Sequence, residues 1–176
     1  YLTCGGFVTE GYLEEQAQKL CDRLDTLMTP DLKGLLKHVH VSETQKCIDT
    51  TIAAYLLNPL KNEYTYDDLA KDILGQMVPS QVDLLGKLKI KKAADEKPEA
   101  LELLACYQAY TCIYAKDQLL KQLEEHGMKK LYEEIEMPLV FVLADMEKEG
   151  IRAEKAELES YGAQLTGRIA ELETSI

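Results

Sequence analysis

The chain has 176 residues, enough for one ordinary domain or for a domain and part of the next. Hydrophobic residues make up 46%, which excludes a disordered tail. Thirty-one acidic against 20 basic residues give a net charge of −11, which argues against a chain that grips a phosphate backbone by itself.

Cysteines stand at positions 4, 21, 47, 106 and 112, with no C-x-x-C spacing. They read as reduced, mostly buried thiols of a cytosolic protein. The longest apolar run, Pro138–Ala144, is far short of the ~20 residues of a membrane span. The opening YLTCGG carries no initiator Met and no signal-peptide pattern, and reads as the middle of a strand in a piece of a longer chain.

In chain order, residues 1–8 are β-branched and aromatic and predict a strand or edge hairpin. Leu13, Ala17, Leu20, Leu24 and Leu27 follow at steps of 4, 3, 4 and 3, one stripe on a helix. Thr29-Pro30-Asp31 restarts a helix, with Thr29 as cap, Pro30 in the first turn and Asp31 at the positive end. His38–Val41 alternates as a short strand, giving a second predicted strand over 37–41.

The run CIDTTIAAYLLNP, Cys47–Pro59, opens a helix on Asp49 and stops before Pro59. Thr65 and Asp68 form a capping pair for a helix that Gly75 ends. Pro79–Gly86 is a further helical turn, and Lys87–Glu99 is a basic-then-mixed loop. A long helix runs from about Glu99 to His126, another from about Lys129 to Glu149, and a last one from Glu154 onward. Pro138 lies inside the second of these and either starts a new helix or kinks a continuous one. Leu139, Val142, Leu143 and Met146 form a stripe that requires a partner surface. Leu158, Tyr161, Leu165, Ile169 and Leu172 form another, on a helix expected to fray or to be held by a second copy. There is no internal repeat.

From Leu131–Ile151, LYEEIEMPLVFVLADMEKEGI, the chain resembles the junction between the 3′→5′ exonuclease and polymerase domains of the bacterial DNA polymerase I family, the family A DNA polymerases. The ordered string covers E-x-E-M-P-L, an amphipathic helix, M-E-x-x-G-I and a charged helix over about 45 residues. IDTTIAAYLLNP is similar to the family's FDT…AYLL(N/D)P, and YTYDDLAKDILG falls on its next helix. The likeness spans Asp31–Ile176 and, more loosely, Tyr1–Met28.

The resemblance implies an α/β chain with an RNase H-like, 3′→5′ exonuclease-like domain. That domain is mostly helical here, with a partial mixed sheet, and is followed by linker helices leading toward the thumb. It implies an exonuclease-like part over residues 1–127, lacking its first strands, and the start of a polymerase domain over 128–176. The parent it implies is a DNA-directed DNA polymerase of replication and repair. Such a parent uses Mg²⁺ and a primer–template and works in the bacterial cytoplasm. This stretch needs no cofactor of its own, no membrane and no obligate protein partner beyond the rest of its chain.

Proofreading members hold two divalent ions about 4 Å apart with carboxylates. Their pattern is D-x-E on the first strand, N-x-x-x-D on a later helix and Y-x-x-x-D on a late one. The D-x-E strand would precede Tyr1. Counting back from Asp49 puts Leu32 at the second carboxylate position, with Asp31 one residue away. Matching Tyr107 to the family tyrosine puts Thr111 at the third, and a different gap puts Gln108 there. None is an anionic ligand for hard Mg²⁺ or Mn²⁺. The expectation is a catalytically silent domain that braces the polymerase domain. The rivals are a working proofreading exonuclease and an unrelated helical interaction module.

Other residues carry two readings each. His38 and His40 match a metal pair but lack a third histidine nearby, so no metal site is expected; His126 suits a helix C-terminus. Tyr107, Tyr110 and Tyr114 could stack on bases, but the same spacing marks a core stripe with hydroxyls at its edge. Lys87, Lys89, Lys91 and Lys92 are the best basic patch for DNA, and otherwise a solvated loop. Asp49 is either an active-site remnant or a helix cap. The family's FDT aspartate is not a metal ligand, so the cap is expected.

Overall fold

The computed structural model describes residues 10–42 and 45–175, and the predicted strand over 1–8 lies outside them. The chain divides into two units, Tyr1–Asp145 and Met146–Ile176.

In the first unit α1 (Glu10–Cys21) precedes β1 (Thr26–Thr29), α2 (Leu32–Leu35) and β2 (Lys46–Asp49). β1 and β2 pair in parallel, Thr26 opposite Lys46 through Thr29 opposite Asp49. The predicted helix over Leu13–Leu27 therefore stops early. Its last carbonyls find a tertiary partner, because the Gln45 amide donates to the carbonyls of Cys21 and Leu24 at 3.0 and 2.7 Å. Leu27 then enters the core from a strand and not from a helix.

The predicted strand over 37–41 is not one. Its alternation is real: Val39 and Val41 are buried between exposed His38 and His40. Among the described residues no strand pairs with it, and the Gln18 side chain takes both backbone groups of His40, at 2.7 and 2.8 Å. Alternation reports a two-sided environment, while a strand also needs a ladder.

α3 (Thr50–Leu57) and α4 (Tyr66–Leu74) start and stop as the sequence predicts, α4 ending on Gly75. Thr65 makes no side-chain capping bond, and Asp68 instead pairs with Lys61 at 3.2 Å. α5 (Gln81–Leu85) opens on a capping box in which Ser80 and Asp83 serve each other's backbone N–H. The predicted loop over Lys87–Glu99 contains α6 (Ile90–Glu96), which drops Ala93 into the core.

α7 (Pro98–Glu125) is the spine. Pro98 suits its first turn, where no N–H is needed. Gly127, at φ 70°, ends it in a conformation L side chains rarely adopt. Its first half, through Leu101 and Leu104, joins a cluster with Tyr66, Leu85 and Ala93. Its second half, through Ala115, Leu119 and Leu123, joins the larger cluster with Leu27, Leu32, Ala53 and Leu69.

After α8 (Lys129–Leu131) the helix widens into a π segment, Tyr132–Glu136, and narrows again as α9 (Met137–Glu149). Pro138 explains the widening: it has no N–H to donate, and its ring would strike the carbonyl four residues back. The inserted residue shifts the buried face. Tyr132 and Met137, five apart, are both buried, while Ile135 is exposed. Val140 is buried as well, and the predicted stripe of Leu139, Val142, Leu143 and Met146 is exposed. In the second unit, α10 (Lys155–Ser175) is a continuous helix with no buried residue, rather than a frayed end. Among the described residues no helix is long and apolar enough to cross a membrane.

Candidate functional site

The first unit converges on Asp49. The residue ends β2 in extended conformation and its carboxylate turns onto α3, accepting from the N–H groups of Thr51 and Ile52 at 2.9 and 3.0 Å. That is the expected cap. The second carboxylate oxygen also accepts from the backbone N–H of Leu32, at 2.8 Å, and so holds the start of α2. Burial pushes the Asp49 carboxyl up, against the three backbone N–H groups that pull it down; the charge of Asp31 adds to the rise.

The Asp49 backbone is clasped from the other side by Tyr132. Its hydroxyl donates to the Asp49 carbonyl at 3.1 Å and accepts from the Asp49 N–H at 3.0 Å. Burial pushes the Tyr132 phenol well above its ordinary range, which keeps it the neutral donor this clasp needs. Next to it, the Thr50 hydroxyl and the Cys112 thiol lie 3.4 Å apart. Burial raises the Cys112 thiol, and it stays a thiol.

Of the sequence-predicted positions, Leu32 meets this node directly. Leu32 is 0% exposed and packs in the larger cluster while its N–H meets Asp49. Asp31 is exposed and caps α2 by accepting from Gly34 N–H at 2.8 Å, in place of the predicted Thr29 cap. Thr29 accepts from the Asp31 N–H. A Cβ at Gly34 would sit 2.2 Å from the Asp31 carboxylate, so a larger residue there would push the capping side chain aside.

Thr111 is 1% exposed, and its hydroxyl has no hydrogen-bond partner among the described residues. Gln108 is half-buried, a turn earlier on α7. Lys87, Lys89, Lys91 and Lys92 are exposed at α6 and the loop before it. Among the described residues no group of three or more His, Cys, Asp or Glu side chains could hold a metal.

Of the tyrosine stripe, Tyr107 stacks on Tyr66 and joins the core, but Tyr114 is 61% exposed and leans on Tyr110. The expected core stripe is thus only its first member. Burial pushes the Tyr66 phenol up to about 12, and its hydroxyl donates to the Pro79 carbonyl. Sequence reasoning missed Tyr132, because the five-residue step that buries both it and Met137 exists only once the π segment has formed.

The chain is similar to known proteins over most of its length. The chain is 32% identical to DNA polymerase I of Bacillus subtilis over 131 residues, 73% of this chain and 14% of that protein. It is 28% identical to DNA polymerase I of Caldicellulosiruptor bescii over 149 residues, 83% of this chain and 15% of the relative. It is also 32% identical to DNA polymerase I of Streptococcus pneumoniae over 150 residues, 80% of this chain and 16% of the relative. The chain belongs to the bacterial DNA polymerase I family. It spans about a seventh of the length of these family members. No family model matches it, and no solved structure matches it.

Proposed function

We propose that this chain is the exonuclease-like segment of a DNA-directed DNA polymerase, RNase H-like in fold and silent in catalysis. Its work in replication and repair is to brace the polymerase domain through α9 and the helices after it. The parent is a bacterial cytoplasmic enzyme that takes Mg²⁺ and primer–template DNA.

The observation that carries the silent reading is the character of the two positions at which the family pattern requires carboxylates. Leu32 is wholly buried in the apolar core. Thr111 is a buried hydroxyl with no partner among the described residues, and the alternative, Gln108, is neutral. Asp49 does not substitute for them, because its oxygens already accept three backbone N–H bonds. A pair of hard divalent cations needs several anionic oxygens facing one space. The residues present do not fit that pair.

The test uses the intact polymerase chain that carries this segment. Given a 5′-labelled primer with a mismatched 3′ end, template, Mg²⁺ and no nucleotides, it is expected to leave the primer at full length. With nucleotides it is expected to extend a matched primer. A ladder of shortened products that disappears on chelation would overturn the silent reading, and failure to extend would overturn the polymerase reading.

A further inference from the structure

The π segment also roofs a cleft of roughly 630 Å³ within the first unit. Its apolar lining includes Ile48, Leu120, Met137 and Phe141, and Glu133 and Asp145 bring two carboxylates. One side of it is β2 itself, which also contributes Lys46.

β2 has a partner on one edge alone among the described residues, since the sheet there is β1 and β2. In a strand the N–H and C=O of alternate residues point to the same edge. Asp49 turns both groups to Tyr132, away from β1. Cys47, two residues earlier, therefore turns its own N–H and C=O to that same edge, and Cys47 lines the cleft. Outside the strand ladder neither group has a hydrogen-bond partner among the described residues. The Tyr132 hydroxyl thus fills the last rung of the free edge and leaves the rung before it open, beside an apolar floor.

We propose that this open edge takes an extended segment of a partner protein by strand addition. The partner strand bonds the Cys47 backbone, seats an apolar side chain against Met137 and Phe141, and brings a lysine or arginine to Glu133 and Asp145. Main-chain bonds give such a site affinity, and alternate side-chain pockets give it specificity. A chain of net charge −11 with two carboxylates on the cleft selects a basic peptide over a nucleic acid. This inference stands apart from the exonuclease reading, because it uses neither Leu32 nor Thr111.

The test measures fluorescence anisotropy of a labelled, alternating lysine–valine peptide titrated with the whole chain. Saturable binding is expected. Methylating alternate backbone nitrogens of the peptide removes its donors to the Cys47 carbonyl and crowds the strand edge without touching the protein, and is expected to weaken binding about tenfold. Glu133→Lys with Asp145→Lys, both at exposed positions, is expected to weaken the unmethylated peptide and leave the thermal melt unchanged. Equal binding of the methylated peptide would overturn strand addition. So would a peptide that does not bind, or one outcompeted by single-stranded DNA of the same length.

Discussion

Two helix starts in this chain solve one problem in different ways. α5 is capped by its own neighbours: Ser80 and Asp83 exchange bonds within a single exposed turn. α3 is capped by Asp49, which is buried and serves α2 as well, while Tyr132 from 83 residues away holds its backbone. A local cap orders one turn. The Asp49 cap ties β2, α2, α3 and the π segment into one unit. The difference teaches that a side-chain cap acquires tertiary weight once water is excluded, because every unmet partner is then costly.

The sharpest way to break this comparison is Asp49→Ala. It frees three N–H groups, two of them in the first turn of α3, and is expected to cost about 3 kcal/mol, read by urea denaturation. A loss no larger than that of Ser80→Ala would place the two caps on the same footing. Tyr132→Phe is next: it strips partners from the Asp49 N–H and C=O at once and is expected to cost about 2 kcal/mol, with a loss near zero counting against the clasp. Thr111→Val runs the other way. It replaces a buried hydroxyl, without a partner among the described residues, by a methyl of similar shape and is expected to stabilise by about 1 kcal/mol, measured as a raised urea midpoint at constant slope.

The smallest effect is the pH dependence, and it has opposite signs at the two caps. The folded-state pKa of Asp49 is raised by burial, so the folded chain holds a proton that the unfolded chain has released. The contribution of Asp49 is then greatest at acid pH and falls as pH rises from the ordinary carboxylate range through the raised value. Asp83 is held below the ordinary range by the hydroxyl and N–H of Ser80, so its contribution is present above that range and is lost as pH falls. The penalty of Asp49→Ala is expected to be larger at about pH 3 than at about pH 7, and that of Asp83→Ala smaller. Denaturation curves of the three chains at both pH values check this, and parallel slopes would erase the contrast.

Asp49 shows how much of the site was legible. The cap could be read from one carboxylate before an apolar run, because a cap is local. Its third bond, to Leu32, could not, since nothing in residues 31–49 states that two helix starts will meet. Counting along a resemblance pointed to Leu32 and to Thr111 or Gln108, yet the burial of Leu32 and Thr111 is a property of packing. Tyr132 carried no local signal: its role depends on a π turn that Pro138 forces six residues later.

By itself, the sequence determined the helix stops at Pro59, Gly75 and Gly127, the long α7, and the family likeness of the Asp49 and junction stretches. These follow from φ restrictions and side-chain periods that act within a few residues. The tertiary structure decided that Thr26–Thr29 would be a strand and Val39–Val41 would not, because a ladder needs a second chain segment within bonding distance. It also decided that Asp49 would be a junction of four elements, since only packing brings Leu32 and Tyr132 to the same buried residue.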